Sequence, residues 1–211
     1  MPSQGGGMEI FMNTKQVIIS LSREFGSAGH IIGETIAKRL GIPIYDSNLL
    51  QEIAVAKNLD VKNLEKYDEV PKNKLFSRNV KGYSNSPEEN IANIQFDYIR
   101  KKAENGESFV IVGRCSEEVL KDFDCLITLF ILADTDKKIE RIKKVYGVSE
   151  SEAKSMILKQ NKKRKVYHNH YCEGKWGDSR NYEFSINSSK LGIDKTADII
   201  ETYIKERMEN F

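Results

Sequence analysis

The stretch Val17-Ile-Ile-Ser-Leu21, followed by Ser22-Arg-Glu-Phe-Gly-Ser-Ala-Gly29, decides the fold of this chain. The first five residues form a β-branched run that predicts a strand, and the next eight contain two glycines and predict a loop. Helical spacing of apolar residues then begins at Ile32 and continues through Ile36, Ala37 and Leu40. In such a strand, glycine loop and helix, backbone N–H groups converge on an anion at the positive helix end, so phosphate is the natural ligand.

Strands and helices are predicted to alternate along the rest of the chain. Four further strands are expected, at 42–45, 109–112, 126–132 and 184–187. The second and third of these are continuous apolar runs, as in strands that helices bury on both faces. Helices are expected to end near Ala56, Glu104 and Met208, and one more runs from Asp134 to Tyr146. Another begins at 149–152 and becomes strongly basic towards Lys165. The closing helix is expected to begin at Asp194, and the alternation predicts a parallel sheet in a layered α/β fold.

Two helix starts carry candidate caps. Asp46 or Ser47 is expected to cap the second helix, and Asp134 the helix that ends at Tyr146. The residues between 58 and 87 are rich in charge and weak in apolar period, which predicts a mobile excursion.

Length and composition limit the classes of protein. At 211 residues, the chain suits one α/β domain. Lys plus Arg number 33 and Asp plus Glu 31, so the net charge of +2 offers no global field for nucleic acid or a membrane. The three cysteines lack the paired spacing of a disulfide framework, which favours a reducing cytoplasm. We therefore expect a cytoplasmic protein with one domain at 15–211 that binds neither nucleic acid nor a membrane. Residues 1–14 are expected to be a flexible leader or tag, because they are too rich in glycine to pack.

The loop departs from the phosphate-binding pattern G-x-x-x-x-G-K-[ST]. Glu24, His30 and Ile31 stand where that pattern has its first glycine, its lysine and its hydroxyl, and Ile32 follows. A neutral histidine contributes one donor and no fixed charge. Because glycine loops of this kind also serve packing alone, the loop by itself leaves phosphate binding and a purely structural role both open.

Five distant segments, taken together, resemble the ordered motifs of the cytidylate-kinase-like family. They are Ser22–Gly29, Ile44-Tyr-Asp-Ser47, Val112-Gly-Arg-Cys115, Lys175-Trp-Gly-Asp178 and Ile186-Asn-Ser-Ser-Lys-Leu-Gly192. The resemblance spans Lys15 to Ile204. It implies a three-layer P-loop kinase fold with a central parallel sheet, a helical acceptor-binding insertion at 47–104 and a lid region at 147–180. Family members are similar to cytidylate kinases, which use magnesium to move the γ-phosphoryl group of ATP to CMP or dCMP.

The resemblance also implies a donor site. The residues that would hold the phosphates of ATP are Arg23, Glu24, Phe25, Gly26, Ser27, Ala28, Gly29, His30 and Ile31. Phosphoryl transfer needs positive charge at the β and γ oxygens, so Arg23 and the lid-region residues Arg141 and Arg164 are the expected catalytic cations. The alternatives are that His30 is a partly exposed residue of the first helical turn and that Arg23 lies at the surface.

An acceptor site is implied in the same way, by Asp46, Ser47, Arg114, Trp176, Asp178 and Arg180. Arg114 is expected to hold the acceptor phosphate, because a guanidinium matches phosphate oxygens at two points. Trp176 can stack on a base or fill the core, and Asp46 can hold magnesium through water or cap a helix. The family's arginine in the following helix is Glu52 here, and this charge reversal argues against CMP.

Two other patterns suggest different chemistry. The basic run at 162–165 resembles a nucleic-acid patch, but a solvated helix face explains it as well. His168, His170 and Cys172 have metal-binding side chains, yet they lack a second paired cluster, so no structural zinc site is predicted.

Taken together, the resemblance and the candidate sites lead us to expect a nucleoside monophosphate kinase with ATP and Mg²⁺ as cofactors, and a homodimer as a possible assembly. The alternative is a nucleotide-binding regulatory protein with little or no turnover.

Overall fold

A sheet of five parallel strands crosses the described part of the chain. The computed structural model describes residues 15–46, 48–57, 79–80, 83–84 and 87–211. The predicted leader at 1–14, Ser47 and most of the predicted excursion lie outside these residues. The strands are β1 (Ile18–Arg23), β2 (Ile44–Tyr45), the paired β3 (Asn79–Val80) and β4 (Tyr83–Ser84), β5 (Phe109–Val112), β6 (Leu126–Leu132) and β7 (Phe184–Asn187). The large sheet has the order β2-β5-β1-β6-β7 and every pairing in it is parallel.

Helices cover both faces of this sheet. They are α1 (Gly29–Leu40), α2 (Leu49–Lys57), α3 (Pro87–Glu104), α4 (Ser116–Val119), α5 (Thr135–Tyr146), α6 (Glu150–Tyr171) and α7 (Ser188–Glu209), with a 3₁₀ turn at Ser179–Asn181. None of these described helices is long and apolar enough to cross a bilayer. The expected three-layer α/β architecture is therefore confirmed.

Strand β1 lies at the centre of two hydrophobic clusters. Ile19 and Leu21 pack with α1 and α7 on one face, while Ile18 packs with α2 and α3 on the other. All three side chains are fully buried. Since side chains alternate along a strand, Ser20 and Ser22 share the face of Ile18 and point away from α1.

The bounds of some elements differ from the predicted ones. The second strand covers only Ile44–Tyr45, and α4 was not predicted. Helix α7 spans Ser188–Glu209 but is interrupted at Gly192, which has a φ of 77°, so the helix predicted from Asp194 corresponds to its longer second part. A glycine accepts this left-handed conformation without the Cβ clash that other residues meet.

The two predicted caps also differ from expectation. Asp134 occupies the residue before α5, but its side chain makes no capping hydrogen bond. Its oxygens accept instead from Asn187 Nδ2 at 2.7 Å and from Lys190 Nζ at 2.6 Å. Helix α2 begins at Leu49, after Asn48, whose Oδ1 accepts from the Asp46 amide at 2.8 Å. The Asp46 side chain faces other partners, which are described below.

Gly29 allows α1 to start directly against β1. A Cβ at Gly29 would lie 2.6 Å from the Cβ of Arg23, whereas one at Gly33 would meet its nearest side chains at 3.4 Å. We expect Gly29→Ala to lower the free energy of unfolding by about 1–3 kcal/mol, because the overlap forces the helix and strand apart. Urea unfolding measures this change.

Gly33→Ala is the matched control, since both glycines belong to α1 and only the first is crowded. It is expected to be neutral or to stabilise by about 1 kcal/mol, through the higher helix propensity of alanine. Equal destabilisation by the two substitutions would show that the close approach at Gly29 does not limit the fold.

Candidate functional site

The loop between β1 and α1 forms an amide-rich turn. Gly26 has a φ of 86° and Ala28 one of 63°, so the chain turns through two left-handed residues before the helix begins. Some amides have acceptors within the protein: Phe25 N donates to Asn161 Oδ1 at 2.7 Å, Ser27 N to Glu24 O at 3.3 Å and Gly29 N to Ser27 Oγ at 3.3 Å. Amides that donate to no acceptor among the described residues are those of Gly26, Ala28, His30 and Ile31. Open amides at a helix N-terminus suit an anion.

Hydrogen bonds and an ion pair from residues of α5 and α7 stabilise this loop. Glu24 Oε2 accepts from Lys138 Nζ at 2.7 Å and from the Ala133 amide at 3.3 Å. Ser188 Oγ donates to the Ser27 carbonyl at 2.7 Å, and the Arg141 guanidinium donates to the Gly26 carbonyl. Glu24 therefore anchors the loop. It stands where the phosphate-binding pattern has its first glycine, so a charged side chain with fixed contacts takes the place of a flexible residue.

Three arginines from different elements line one small cavity. Arg23 ends β1, Arg114 follows β5, and Arg164 belongs to α6; Trp176 closes the same cavity. Because β1 and β5 are parallel neighbours, the residues that follow them lie at one edge of the sheet, where α/β proteins bind ligands. The described residues that line this cavity include no carboxylate. The cavity is therefore suited to a negatively charged group.

Arg164 and Trp176 each have contacts that fix them. Arg164 Nη1 donates to the Arg23 carbonyl at 3.2 Å, and its guanidinium lies 5.8 Å from the centre of the Phe25 ring. Trp176 meets Phe130 edge to face, with ring centroids 5.4 Å apart. Trp176 is half-buried, so it both packs on the sheet and presents surface to the cavity.

The turn that carries Arg114 is conformationally strained. Gly113, Arg114 and Cys115 have φ values of 80°, 62° and 53°, so three consecutive residues are left-handed and two of them have a Cβ. Such conformations cost on the order of 1–3 kcal/mol each and cluster at binding sites. The turn brings Arg114 to 3% exposure, and its Nη2 donates to the Asp46 carbonyl at 3.3 Å.

Asp46 joins the arginines to His30. Its Oδ1 lies 3.5 Å from Arg23 Nη2, and its Oδ2 lies 2.7 Å from His30 Nδ1. The other ring nitrogen of His30 is 3.3 Å from Glu34 Oε1. His30, which replaces the usual lysine, is thus half-exposed between two carboxylates.

The remaining predicted residues lie apart from the cavity. Asp178 and Arg180 pair with each other at 2.9 Å, and these hydrogen bonds lower the pKa of Asp178 to about 2. Arg180 is 85% exposed, and neither residue is among those that line the cavity. Ile31 is exposed, and Ser47 lies outside the described residues.

A buried pair of Glu117 and His168 was missed by the sequence analysis. Glu117 Oε1 lies 2.9 Å from His168 Nε2, and the two side chains are 8% and 6% exposed. Ser22 Oγ donates to the same carboxylate oxygen at 3.0 Å. The available signal was Ser20 and Ser22 in a strand that is otherwise apolar, because buried hydroxyls require polar partners.

Burial alone would lower the pKa of His168. Hydrogen bonds to Cys172 and Glu117, with the charge of Glu117, outweigh that effect and raise it to about 10. The pKa of Cys172 is lowered chiefly by a hydrogen bond from Cys115, with burial opposing and His168 assisting. In the ligand-free protein, His168 is therefore an imidazolium at neutral pH.

Fold and loop position together define the class of protein: an α/β chain with the layered architecture of P-loop-type kinases. The model of the cytidylate kinase-like family matches residues 18–190. The chain belongs to this family, which confirms the resemblance found in the sequence, and its fold and family are those of kinase-type phosphotransferases.

Solved structures agree with this assignment. A protein from Eubacterium ventriosum ATCC 27560, described as uncharacterized, is 42% identical and has a TM-score of 0.72; the match covers 90% of this chain and 99% of that one. Shikimate kinase from Bacteroides thetaiotaomicron is 15% identical with a TM-score of 0.53, over 90% of this chain and 98% of its own. The shikimate kinase from Acinetobacter baumannii, in complex with shikimate, is 14% identical with a TM-score of 0.51, over 90% and 94%. These two kinases show the fold alone, and no curated protein matches the chain.

The ion pair between Lys138 and Glu24 is expected to stabilise the loop. Lys138 is buried, so Lys138→Met leaves Glu24 without its cation in a partly desolvated place, and we expect unfolding to become easier by about 1–3 kcal/mol. Chemical denaturation measures the change.

The neighbouring lysine provides the matched control. Lys137 pairs with Glu140 at 2.9 Å, but the two side chains are 53% and 71% exposed. Lys137→Met is therefore expected to change stability by less than about 0.5 kcal/mol. Similar losses for both variants would mean that the buried pair does not anchor the loop.

Proposed function

We propose that this protein transfers the γ-phosphoryl group of ATP to a nucleoside monophosphate, with CMP and dCMP, the acceptors that the family resemblance implies, as the first to be tested although Glu52 argues against CMP. The observation that carries the proposal is the convergence of Arg23, Arg114 and Arg164 on one cavity beside the open amides of the loop. Guanidinium groups match phosphate oxygens at two points, and loop amides suit a second set of phosphates. Two neighbouring anion sites are what a transfer between two phosphates requires.

The donor would bind at the loop that begins after β1. The amides of Gly26, Ala28, His30 and Ile31 have hydrogens to offer to phosphate oxygens. Arg23 and Arg164 line the same cavity, so both are placed to contact one phosphoryl group. Arg141 contacts the loop at the Gly26 carbonyl, so it supports the loop as well as adding charge.

The acceptor would place its phosphate on Arg114. This arginine is buried, and the strained turn at 113–115 fixes its direction. Trp176 presents an aromatic surface on the same cavity, which suits stacking on a base. Asp178 and Arg180 would read the edge of the base only after their mutual pair opens, and Ser47 remains an expected contact.

Catalysis would then come from position and charge. Phosphoryl transfer needs the two oxygens in line and the developing charge neutralised, and it needs no covalent intermediate. The arginines that line the cavity would supply the charge. Magnesium would supply further positive charge to the phosphates, and Asp46, at the end of β2 beside Arg23, is the carboxylate that would hold it through water, since Mg²⁺ in such sites uses few protein ligands.

A regulatory protein that binds nucleotide with little turnover is the second candidate. The observation that favours it is that His30, which stands in the place of the usual lysine, contacts two carboxylates: Asp46 at 2.7 Å and Glu34 at 3.3 Å. Ile31 and Ile32 also supply no hydroxyl for a metal ion. Measuring ATP consumption by a coupled assay with a panel of nucleoside monophosphates separates the two candidates.

Replacing Arg114 tests the acceptor site. We expect Arg114→Ala to remove roughly 2–3 kcal/mol of transition-state stabilisation, seen as a lower kcat/KM for the monophosphate. The affinity for ATP is expected to change little. Arg39→Ala is the control, because Arg39 pairs with Asp198 and Glu201 between α1 and α7, away from the cavity. Equal losses for acceptor and ATP would place Arg114 outside the acceptor site.

Replacing Arg23 and His30 tests the source of positive charge. We expect Arg23→Ala to lower kcat at least tenfold, about 1.4 kcal/mol of barrier, and His30→Ala to have a smaller effect. His30→Lys is expected to raise kcat, because its ammonium group would stand where P-loop kinases place their lysine. Tight ATP binding without transfer to any monophosphate, in the wild type and in His30→Lys, would support the regulatory candidate instead.

A further inference from the structure

Glu117, His168 and Cys172 form a cluster that the proposed transfer does not use. One carboxylate oxygen, one imidazole nitrogen and the thiol sulfur all lie within 4.8 Å of one another. These three donor types are the ligands that zinc takes in proteins. A tetrahedral zinc ion holds its ligand atoms about 3.3–3.8 Å apart, because its bonds are about 2.0–2.3 Å long. Small side-chain adjustments are therefore enough to form such a site.

The local structure explains why these residues meet. His168 and Cys172 are one helical turn apart at the end of α6, where the Cys172 amide donates to the His168 carbonyl at 2.8 Å. Residues four apart share one face of a helix. Glu117 comes from α4, which the strained turn at 113–115 directs against that face. The third ligand is thus distant in sequence, which is why spacing along the chain predicted no zinc site.

Neighbouring groups orient the ligands as in metal sites. Glu117 accepts from Ser22 Oγ at 3.0 Å and from Ser20 Oγ at 3.4 Å. His168 Nδ1 lies 3.4 Å from Asn169 Oδ1, so Nε2 is the nitrogen that faces the carboxylate. Partners of this kind fix the ring and the carboxylate of metal ligands. Glu117 and His168 form a buried ion pair, and the Cys172 thiol, which hydrogen-bonds to His168 and to Cys115, stands beside them as a third ligand.

The cluster also has a route to solvent. Glu117, His168 and Cys172 line an open groove together with Gly174 and Asn181. A metal ion can enter from this groove, and a water molecule can take the fourth position. A thiolate and a carboxylate together carry two negative charges, which balance a divalent cation.

We propose that Glu117, His168 and Cys172 bind one Zn²⁺ ion. Sulfur and imidazole ligands select zinc over Mg²⁺ and Ca²⁺, which prefer oxygen. The ion replaces the hydrogen bonds that the three groups make in the metal-free protein, and its binding releases the imidazolium proton of His168 and any thiol proton of Cys172 to solvent. It ties the end of α6 to α4, the helix that follows Arg114. This site does not depend on the proposed phosphoryl transfer.

Metal titration of the intact chain tests the proposal. Protein freed of metal with a chelator is titrated with Zn²⁺ against a coloured competing chelator, and separately with Co²⁺, whose spectrum reports its ligands. We expect one Zn²⁺ per chain, no competition from excess Mg²⁺, and a Co²⁺ spectrum with a thiolate charge-transfer band and the strong visible bands of a tetrahedral site. Zinc is also expected to raise the melting temperature, because it binds only the folded protein.

Variants identify the ligands. Cys172→Ala and Glu117→Gln are each expected to weaken zinc binding by more than the roughly 10–100-fold that loss of an outer-shell partner causes. Cys125→Ala is the matched control, since Cys125 is also partly buried but lies outside the cluster, and it is expected to leave affinity unchanged.

The Co²⁺ spectrum of the wild-type protein tests the proposal even if a variant fails to fold. Absence of a thiolate band in that spectrum would overturn the proposal. So would zinc affinity that is equal in the wild type and a folded Cys172→Ala variant.

Discussion

The parallel pairing of β1 with β5 and β6 is the constraint on which the site depends. Ile18 pairs with Phe109 on one side and with Leu126 on the other, and all the strands run in the same direction. Their carboxyl ends therefore meet at a single edge, where the chain leaves each strand into a loop. Arg23 ends β1, the amide-rich turn follows it, and Arg114 follows β5. The pairing thus brings together groups that are far apart in sequence.

Guanidinium groups are concentrated at this edge of the sheet. The cavity is lined by three guanidiniums, and Asp46 contacts Arg23 from the end of β2. Burying cations is unfavourable unless anions or dipoles compensate. Main-chain carbonyls of Arg23 and Asp46 supply dipoles to Arg164 and Arg114. A phosphate group would supply the charge, which is why local electrostatics favour an anionic ligand although the whole chain is nearly neutral.

Much of the fold could be predicted because its signals are local. The apolar runs of β5 and β6 predict buried strands, and Gly41 and Gly147 end α1 and α5 in the left-handed conformation that glycine commonly takes after a helix. No pattern in the sequence indicates where α6 ends, because Val166, Tyr167 and His168 are weak helix formers. Tyr167 and His168 are nevertheless buried in the fold, so tertiary packing extends the helix.

The site could be predicted only in part, for a similar reason. Arg23 and Arg114 were recognisable because each follows a predicted strand. Glu117 and His168 are 51 positions apart, and no periodicity links them. The exposed pair of Asp178 and Arg180 shows the reverse case, since neighbours in sequence can bind each other and stay away from the cavity.

Helix α6 is one continuous helix that contacts the rest of the site at three positions along its length. Asn161 accepts from the Phe25 amide, Arg164 donates to the Arg23 carbonyl, and His168 contacts Glu117. The spacing of these residues, three and then four apart, places them on one face of a rigid rod. If α6 swings away from the sheet as a single body, all three contacts must break together. Its opening would then be an all-or-none event, and amides on both sides of the site would exchange their hydrogens with one common rate.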